Sequence, residues 1–257
     1  MFGAWPYKLG GVLNGRGKEG MPIAKTFREQ LVAARDAHHS KNHPYIDLWA
    51  TGRLTKAQMA VYVIQHYHFV SDYLNWMLYI AARSPHRDVK DFMLENFTEE
   101  EDPDNRHIDM LFDFAAACGT SKEQFLATPL LPNTQALKDW GWRQVYEKPW
   151  QVAVAGMFIG LESQPPDIYR RLVPAFANHY GWPEGAREVR FFAEHIEADT
   201  AHGARGFAIV ERYCGSEDIR QQATAQVQQA AIMRWRHMTG IYWNALHGRF
   251  DDTPPAA

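Results

Sequence analysis

A chain of 257 residues, 46% of them hydrophobic and 22% charged, carries enough apolar material to bury a full globular core. A formal net charge of −3 gives no electrostatic case for a nucleic-acid partner, and no apolar run approaches the length needed to cross a bilayer. The two cysteines, Cys118 and Cys214, exclude a disulfide framework; with no apolar signal segment at the N-terminus, a cytoplasmic location is expected.

Helical periodicity runs through the chain, with no repeats and no pair of strand-like segments. Five glycines between Gly10 and Gly20 mark residues 1–21 as a flexible lead-in. A first helix is predicted over about 22–40, opened by Pro22. The stretch NHPYIDLWATG follows as a short helix or turn ended by Gly52. Thr55 is placed to cap a long helix, LTKAQMAVYVIQHYHFVSDYLNWMLYIAARS, whose apolar stripe runs through Met59, Val63, Val70, Leu74 and Met77. The next helix is predicted over about 88–100. Pro103 ends it, because proline has no N–H to donate and its ring clashes with the preceding turn. Helix resumes through NRHIDMLFDFAAAC and stops at Gly119. Further helices are predicted at about 133–147, 150–178 (interrupted by Pro165 and Pro166), 184–214 and 216–247, and residues 248–257 are read as a disordered tail. The expected architecture is all-α: one domain over 22–247, roughly seven or eight helices with short connections.

The stretch FFAEHIEADTAHGARGF, residues 191–207, carries the chemistry. His195, Asp199 and His202 stand four and then three residues apart, so one helix projects all three from one face. Phe191, Phe192 and Ile196 point to burial of that helix, and a buried aspartate is costly unless it is paired or bound to a metal. A hydrogen-bonded carboxylate–histidine cluster in the core would give the same pattern. Glu162 follows the almost wholly apolar AVAGMFIGL, which leaves it either buried with a partner or turned to water at a helix end. Glu100 and His107 lie seven apart across Pro103, beside an acidic run, TEEED, that would be solvated in many proteins. Together three segments offer three histidines and three carboxylates, a donor set that suits iron or manganese and needs no thiolate. Di-iron carboxylate proteins build such sites between facing helices, although the order here is not the Glu-x-x-His arrangement of ferritin-like bundles.

These residues resemble the ligand set of the haem-oxygenase-like di-iron oxidases and oxygenases, which share a seven-helix fold with the cofactor-biosynthesis protein PqqC and the TenA thiaminases. The resemblance covers about residues 22–246. NHPYIDLWATGRLTKAQMAVYVIQHYHFV is similar to the PqqC-type opening and marks the superfamily. Asn96 followed four residues later by Glu100, then His107, Glu162 and the His195-x3-Asp199-x2-His202 motif, match the family's six metal positions by type. The resemblance therefore implies an all-α, single-domain, haem-oxygenase-like (PqqC/TenA-like) bundle that binds two Fe(II) ions per chain (Mn is the other candidate), takes O2 as co-substrate and uses no haem. It divides the ligands with Glu100 and His107 on one iron, His195, Asp199 and His202 mostly on the other, and Glu162 bridging or clamping. TenA-type hydrolases use a cysteine nucleophile from the middle helices, and no cysteine lies between 119 and 213. Haem oxygenases hold haem through a histidine of the first helix, a part that His38, His39 or His43 could imitate, with Gly156 and Gly160 imitating their glycine-rich distal helix. Relatives that make para-aminobenzoate consume a tyrosine next to the mid-chain Glu, where this chain has Leu161.

The implied activity is O2-dependent oxidation of a small amino-acid-like or carboxylate substrate in a biosynthetic pathway: N-oxygenation, desaturation or oxidative C–C cleavage. An external reductant and a homodimer are expected with it. The alternatives are a metal-independent PqqC-like oxidase or TenA-like enzyme, and a helical protein-interaction factor. The pocket is expected along His66–Tyr73, Trp140, Trp142 and MRWRHMTGIYW, with Tyr67, His68, Arg234 and Arg236 as candidate substrate contacts. Either arginine could hold a carboxylate through its planar fork, or both could lie at the surface beside a packed Trp235.

Overall fold

The computed structural model describes residues 25–251, and within them every regular element is helical. The lead-in at 1–21, a helix start at Pro22 and the end of the tail lie outside the described residues. Helix α1 (Phe27–Asp36) starts at a Thr26–Glu29 capping box rather than at proline, and the chain reaches α2 (Pro44–Ala50) through a 3-10 turn. Gly52 ends that segment at φ +69°, a conformation that costs a side-chain-bearing residue about 1 kcal/mol or more. Thr55 then caps α3 (Lys56–Arg83), and Gln58 returns a bond to the Thr55 N–H, so two of the orphan donors of the first turn are satisfied.

Of the predicted α3 stripe, Met59, Val63, Leu74 and Met77 are buried, and Val70 is partly buried against a cavity. Residues on the other faces of α3, Tyr62, Phe69 and Trp76 among them, are buried as well, which makes α3 a central helix. Helix α4 (Arg87–Glu100) stops before Pro103, and α5 (His107–Ala117) resumes six residues later. A short α6 (Lys122–Ala127), capped by a Ser121–Gln124 box, was not expected from periodicity because six residues carry too few turns to show one. Helix α7 (Pro132–Glu147) is followed by α8 (Trp150–Val154), which widens into a π-helical segment, Ala155–Glu162. Helix α9 (Pro165–Ala175) takes Pro165 and Pro166 in the first turn, where the missing N–H has no partner to lose, and carries Pro174 one residue before its end. Helix α10 (Arg190–Tyr213) begins later than the predicted 184, because Pro183 and Gly185, at φ +81°, hold the approach in a turn. Helix α11 (Glu217–His247) ends at Gly248, φ +67°.

The fold class is as expected: all-α and haem-oxygenase-like, divided into more and shorter helices than seven or eight. Helix α11 packs along the π-helical segment, and α10 packs on α9. The approach to α11 is close because a Cβ on Gly160 would stand 2.3 Å from the Ala230 Cβ. Gly160 is thus a packing residue. One apolar cluster centres on Trp76, Phe92 and Phe158; the other centres on Trp49, ringed by Tyr45, Tyr62, Phe114, Phe176 and Phe192. Such ring pairs contribute roughly 0.5–1.5 kcal/mol each beyond area burial. Polar side chains of α3, α4, α5, α10, α11 and the π-helical segment meet between the clusters. Among the described residues no helix is long and apolar enough to cross a membrane.

Candidate metal centre

Helix α10 buries one polar stripe. His195, Asp199 and His202 are 7%, 2% and 5% exposed, while Glu197, Thr200 and Arg205 on the other faces are exposed. Opposite the stripe stand Glu100 from the last turn of α4, His107 from the first turn of α5 and Glu162 from the end of the π-helical segment. The Pro103 break is tied to α10 at Asn105, for Asn105 Nδ2 donates to Glu194 Oε2 at 3.0 Å and Arg190 donates to both Asn105 and Glu194. The widened turn at 155–162 delivers Glu162 at a helix end that a regular α-helix would have aimed elsewhere. Such segments recur at functional sites.

All six predicted ligands converge, in two groups. Donor atoms of Glu100, His107 and His195 lie within 4.8 Å of one another, and so do those of Glu162, Asp199 and His202. The expected division is therefore redrawn: His195 leaves its α10 neighbours and joins Glu100 and His107. The reason is its position one turn before Asp199, which sets it beside the α4–α5 break rather than beside Glu162.

The rings are held by their outer nitrogens. His195 Nδ1 donates to the Phe191 carbonyl at 2.7 Å, which leaves Nε2 without a proton, 3.9 Å from Glu100 Oε1. His202 Nε2 donates to Glu99 Oε2 at 2.7 Å, which leaves Nδ1 facing Glu162 Oε1 at 3.5 Å. His107 Nδ1 stands 3.0 Å from Glu100 Oε2. Yet His107 Nδ1, His202 Nδ1 and Asp199 Oδ1 are buried with no well-aligned hydrogen-bond partner. Lone-pair atoms crowded together in a buried site call for a positive charge among them, a proton or a metal ion. Fixing one imidazole nitrogen by a carbonyl or carboxylate so that the other can ligate is the usual support of a metal histidine. Carboxylates and imidazoles without thiolate fit iron or manganese.

The acid–base balance records the same demand. Burial drives the Asp199 carboxyl well above the carboxylate range, helped by the like charges of Glu162 and Glu100. Burial also works to raise Glu100, but the His107 imidazole 3.0 Å away and the nearby His195 and His202 hold it below its usual value. Burial pulls His107 and His202 down, yet Glu100 raises the first above the histidine range, and Glu162 with Glu99 raises the second. His195, burial dominant, is lowered.

A cavity adjoins these residues, with room for about 30 Å³ of water-centre positions, enough for two or three waters. Glu100, Glu162, His195 and Asp199 form one wall; His66, Phe69, Tyr73, Tyr169 and Arg234 complete it. Of the expected substrate contacts only Arg234 reaches it. Tyr67 packs on Phe112 and Phe125, His68 donates to the Thr128 carbonyl at 3.0 Å, and Arg236 is exposed. Trp142 turns away to donate to Asp72, and Trp140 lies on a different groove. Sequence reasoning missed Tyr169 and Glu99. Position 161 is leucine, but α3 sets Tyr73 against Glu162, its buried hydroxyl without a well-aligned partner. Cys118 and Cys214 are buried away from the cavity, and burial pushes their thiols up to about 12 and about 11. Neither is an activated nucleophile.

Fold and donor set together define a haem-oxygenase-like helical protein with a metal-competent centre. The chain matches the model of the iron-containing redox enzyme family over residues 60–235 and belongs to that family. It is similar to the 4-aminobenzoate synthase of Nitrosomonas europaea, at 24% identity over 85% of this chain and 92% of that protein. It is also similar to the 4-chloro-allylglycine synthase of Streptantibioticus cattleyicolor, at 21% identity over 88% and 84%. A crystallised TenA homologue of Pseudomonas syringae pv. tomato shares the fold, with a TM-score of 0.73 at 16% identity over 84% of this chain and 92% of that one.

Proposed function

We propose that this chain is an O2-dependent, non-haem di-iron oxidase or oxygenase that acts on a small amino-acid-like or carboxylate substrate in a biosynthetic pathway. The observation that carries the reading is the pair of buried triads with their unpartnered Nδ1 and Oδ1 atoms beside one cavity. Glu100, His107 and His195 would hold one iron, and Glu162, Asp199 and His202 the other. Bound there, two ferrous ions would supply the electrons for O2 reduction, with an external reductant to restore them. The rest is the work of the chain. The Phe191 carbonyl and Glu99 fix which nitrogens of His195 and His202 are free to ligate. Phe69, Leu161 and Tyr169 keep bulk water off the centre. The names of the similar synthases support a biosynthetic role, the description of the family as iron-containing redox enzymes supports an oxidation, and the homodimer is part of the proposal by resemblance to the family.

The test is an anaerobic Fe(II) titration of the metal-free protein, with amino acids and short carboxylates in parallel, followed by O2. Uptake of two irons per chain and substrate-accelerated O2 consumption are expected. No iron uptake under any condition would sink the reading and leave a metal-independent enzyme or a binding scaffold.

A further inference from the structure

Arg234 is the one cavity residue that the centre itself leaves unexplained. It comes from α11, is 4% exposed, and its Nε has no hydrogen-bond partner. Among the described residues it forms no ion pair with a carboxylate, although surface arginines such as Arg28, Arg171 and Arg187 all do. Of the charged groups that share its cavity, the Asp199 carboxylate acts on it without forming an ion pair. Tyr62 lies within its reach and shares a 3.0 Å hydroxyl contact with Tyr169. His66 and His237, both buried, are held neutral by burial first and by the arginine itself second, His237 down to about 3. A guanidinium does not lose its proton, and a buried cation without a counter-ion is expensive. With two divalent ions in the triads, the three carboxylates leave one positive charge in excess, and Arg234 makes it two.

Resting on the two-metal reading, we infer that Arg234 is the substrate anchor: its fork takes the carboxylate of the substrate at the α11 side of the cavity and presents the rest of the molecule to the wall formed by Glu100, Glu162, His195 and Asp199. A carboxylate matches the planar fork through two parallel hydrogen bonds, which a neutral amide cannot reproduce. The rings of Tyr169, His66 and Phe69 line the cavity beside the arginine, and Tyr62 holds the Tyr169 hydroxyl at 3.0 Å. Before metal enters, the three carboxylates oppose an anion in the same cavity. Metal and carboxylate must therefore favour one another, reciprocally.

The experiment measures Fe(II) affinity anaerobically, by equilibrium dialysis with metal analysis. Wild type, Arg234→Gln and Arg234→Lys are each measured alone, with propionate and with propionamide; a three-carbon acid suits the small cavity. Propionate should tighten iron binding to the wild type by about fivefold or more, the lower end of typical coupling between sites, and propionamide should not. In Arg234→Gln the tightening should vanish while iron affinity without propionate is equal or higher, because a positive charge has been removed. Arg234→Lys keeps the charge and loses the fork, and should recover part of the effect; it also carries the test if the glutamine variant fails to fold. Equal tightening in wild type and Arg234→Gln would place the carboxylate on the metals and overturn the inference, as would no tightening in the wild type. If the wild type takes up no iron at all, the two-metal reading falls. The inference, which rests on that reading, then falls with it, whereas iron uptake without tightening by propionate refutes the anchor alone.

Discussion

Asp199→Asn separates a ligand from a structural carboxylate, because the two roles give stability changes of opposite sign. Asp199 is 2% exposed, one of its oxygens has no partner, and its donor atoms lie within 4.8 Å of those of Glu162 and His202. At that distance two carboxylate charges repel by about 3.5 kcal/mol at an effective dielectric constant of about 20. In the metal-free protein much of this is avoided by proton uptake, so the asparagine relieves only what remains, about 1–2 kcal/mol. For a chain of this size that is a rise in melting temperature of roughly 2–8 °C. Added metal should reverse the order. The wild type at a hundredfold excess over its dissociation constant gains about 2.7 kcal/mol, whereas the variant has lost a ligand and should bind at least about a hundredfold more weakly. Thermal unfolding of both proteins, with chelator and with Fe(II) or Mn(II) under nitrogen, reads both signs. A metal-free variant less stable than the wild type would show that Asp199 is a hydrogen-bonded core residue and would remove the second triad.

Three further outcomes are expected. Glu99→Gln keeps a side chain of the same shape beside His202 but loses the carboxylate that accepts its Nε2 proton at 2.7 Å; metal affinity should fall by about 10–100-fold with the fold intact, as for other carboxylate supports of ligating histidines, and an unchanged titration would free His202 of that support. Gly160→Ala would push its methyl into Ala230, 2.3 Å away, on the backbone-close face of α11; overpacking of this kind costs about 1–3 kcal/mol, and a melting temperature equal to wild type would mean that α11 can slide. His39 and His43 are both held down to about 4 by burial, and their Nδ1 atoms accept the Lys41 and Tyr45 N–H groups. Their folded values lie below the unfolded value, so the stability they confer as neutral caps is present above pH 6.5 and is lost as the pH falls from there toward 4, by up to about 3 kcal/mol each. The denaturation midpoint should drop over that interval, and His43→Asn, which caps without titrating, should flatten the drop; parallel profiles would refute the assignment.

What the sequence discloses about this site follows from what a helix period can and cannot encode. His195, Asp199 and His202 are legible because four and three residues bring side chains to one face whatever the surroundings. Thr55, Gly52 and Pro103 are legible because caps and breakers act within a few residues. The grouping of ligands is not, since it depends on where α4, α5 and the π-helical segment cross α10, and nothing local in AVAGMFIGLE announces a widened turn. Glu99 is hidden for a related reason: within TEEED Glu100 faces the first triad, Glu99 just before it accepts from His202, and only the facing helix distinguishes them. Geometry sorts the remaining candidates. His66, Phe69 and Tyr73 are three and four apart and face the cavity together, which turns Tyr67 and His68 about 100° and 200° away. Arg234 and Arg236 are likewise about 200° apart, so at most one could enter. Helical spacing alone thus dictates that these pairs divide between cavity and exterior, and it is the packing of α11 against the π-helical segment that chooses Arg234. The contact that Gly160 permits therefore also sets how near the buried Arg234 guanidinium stands to the metal-competent wall.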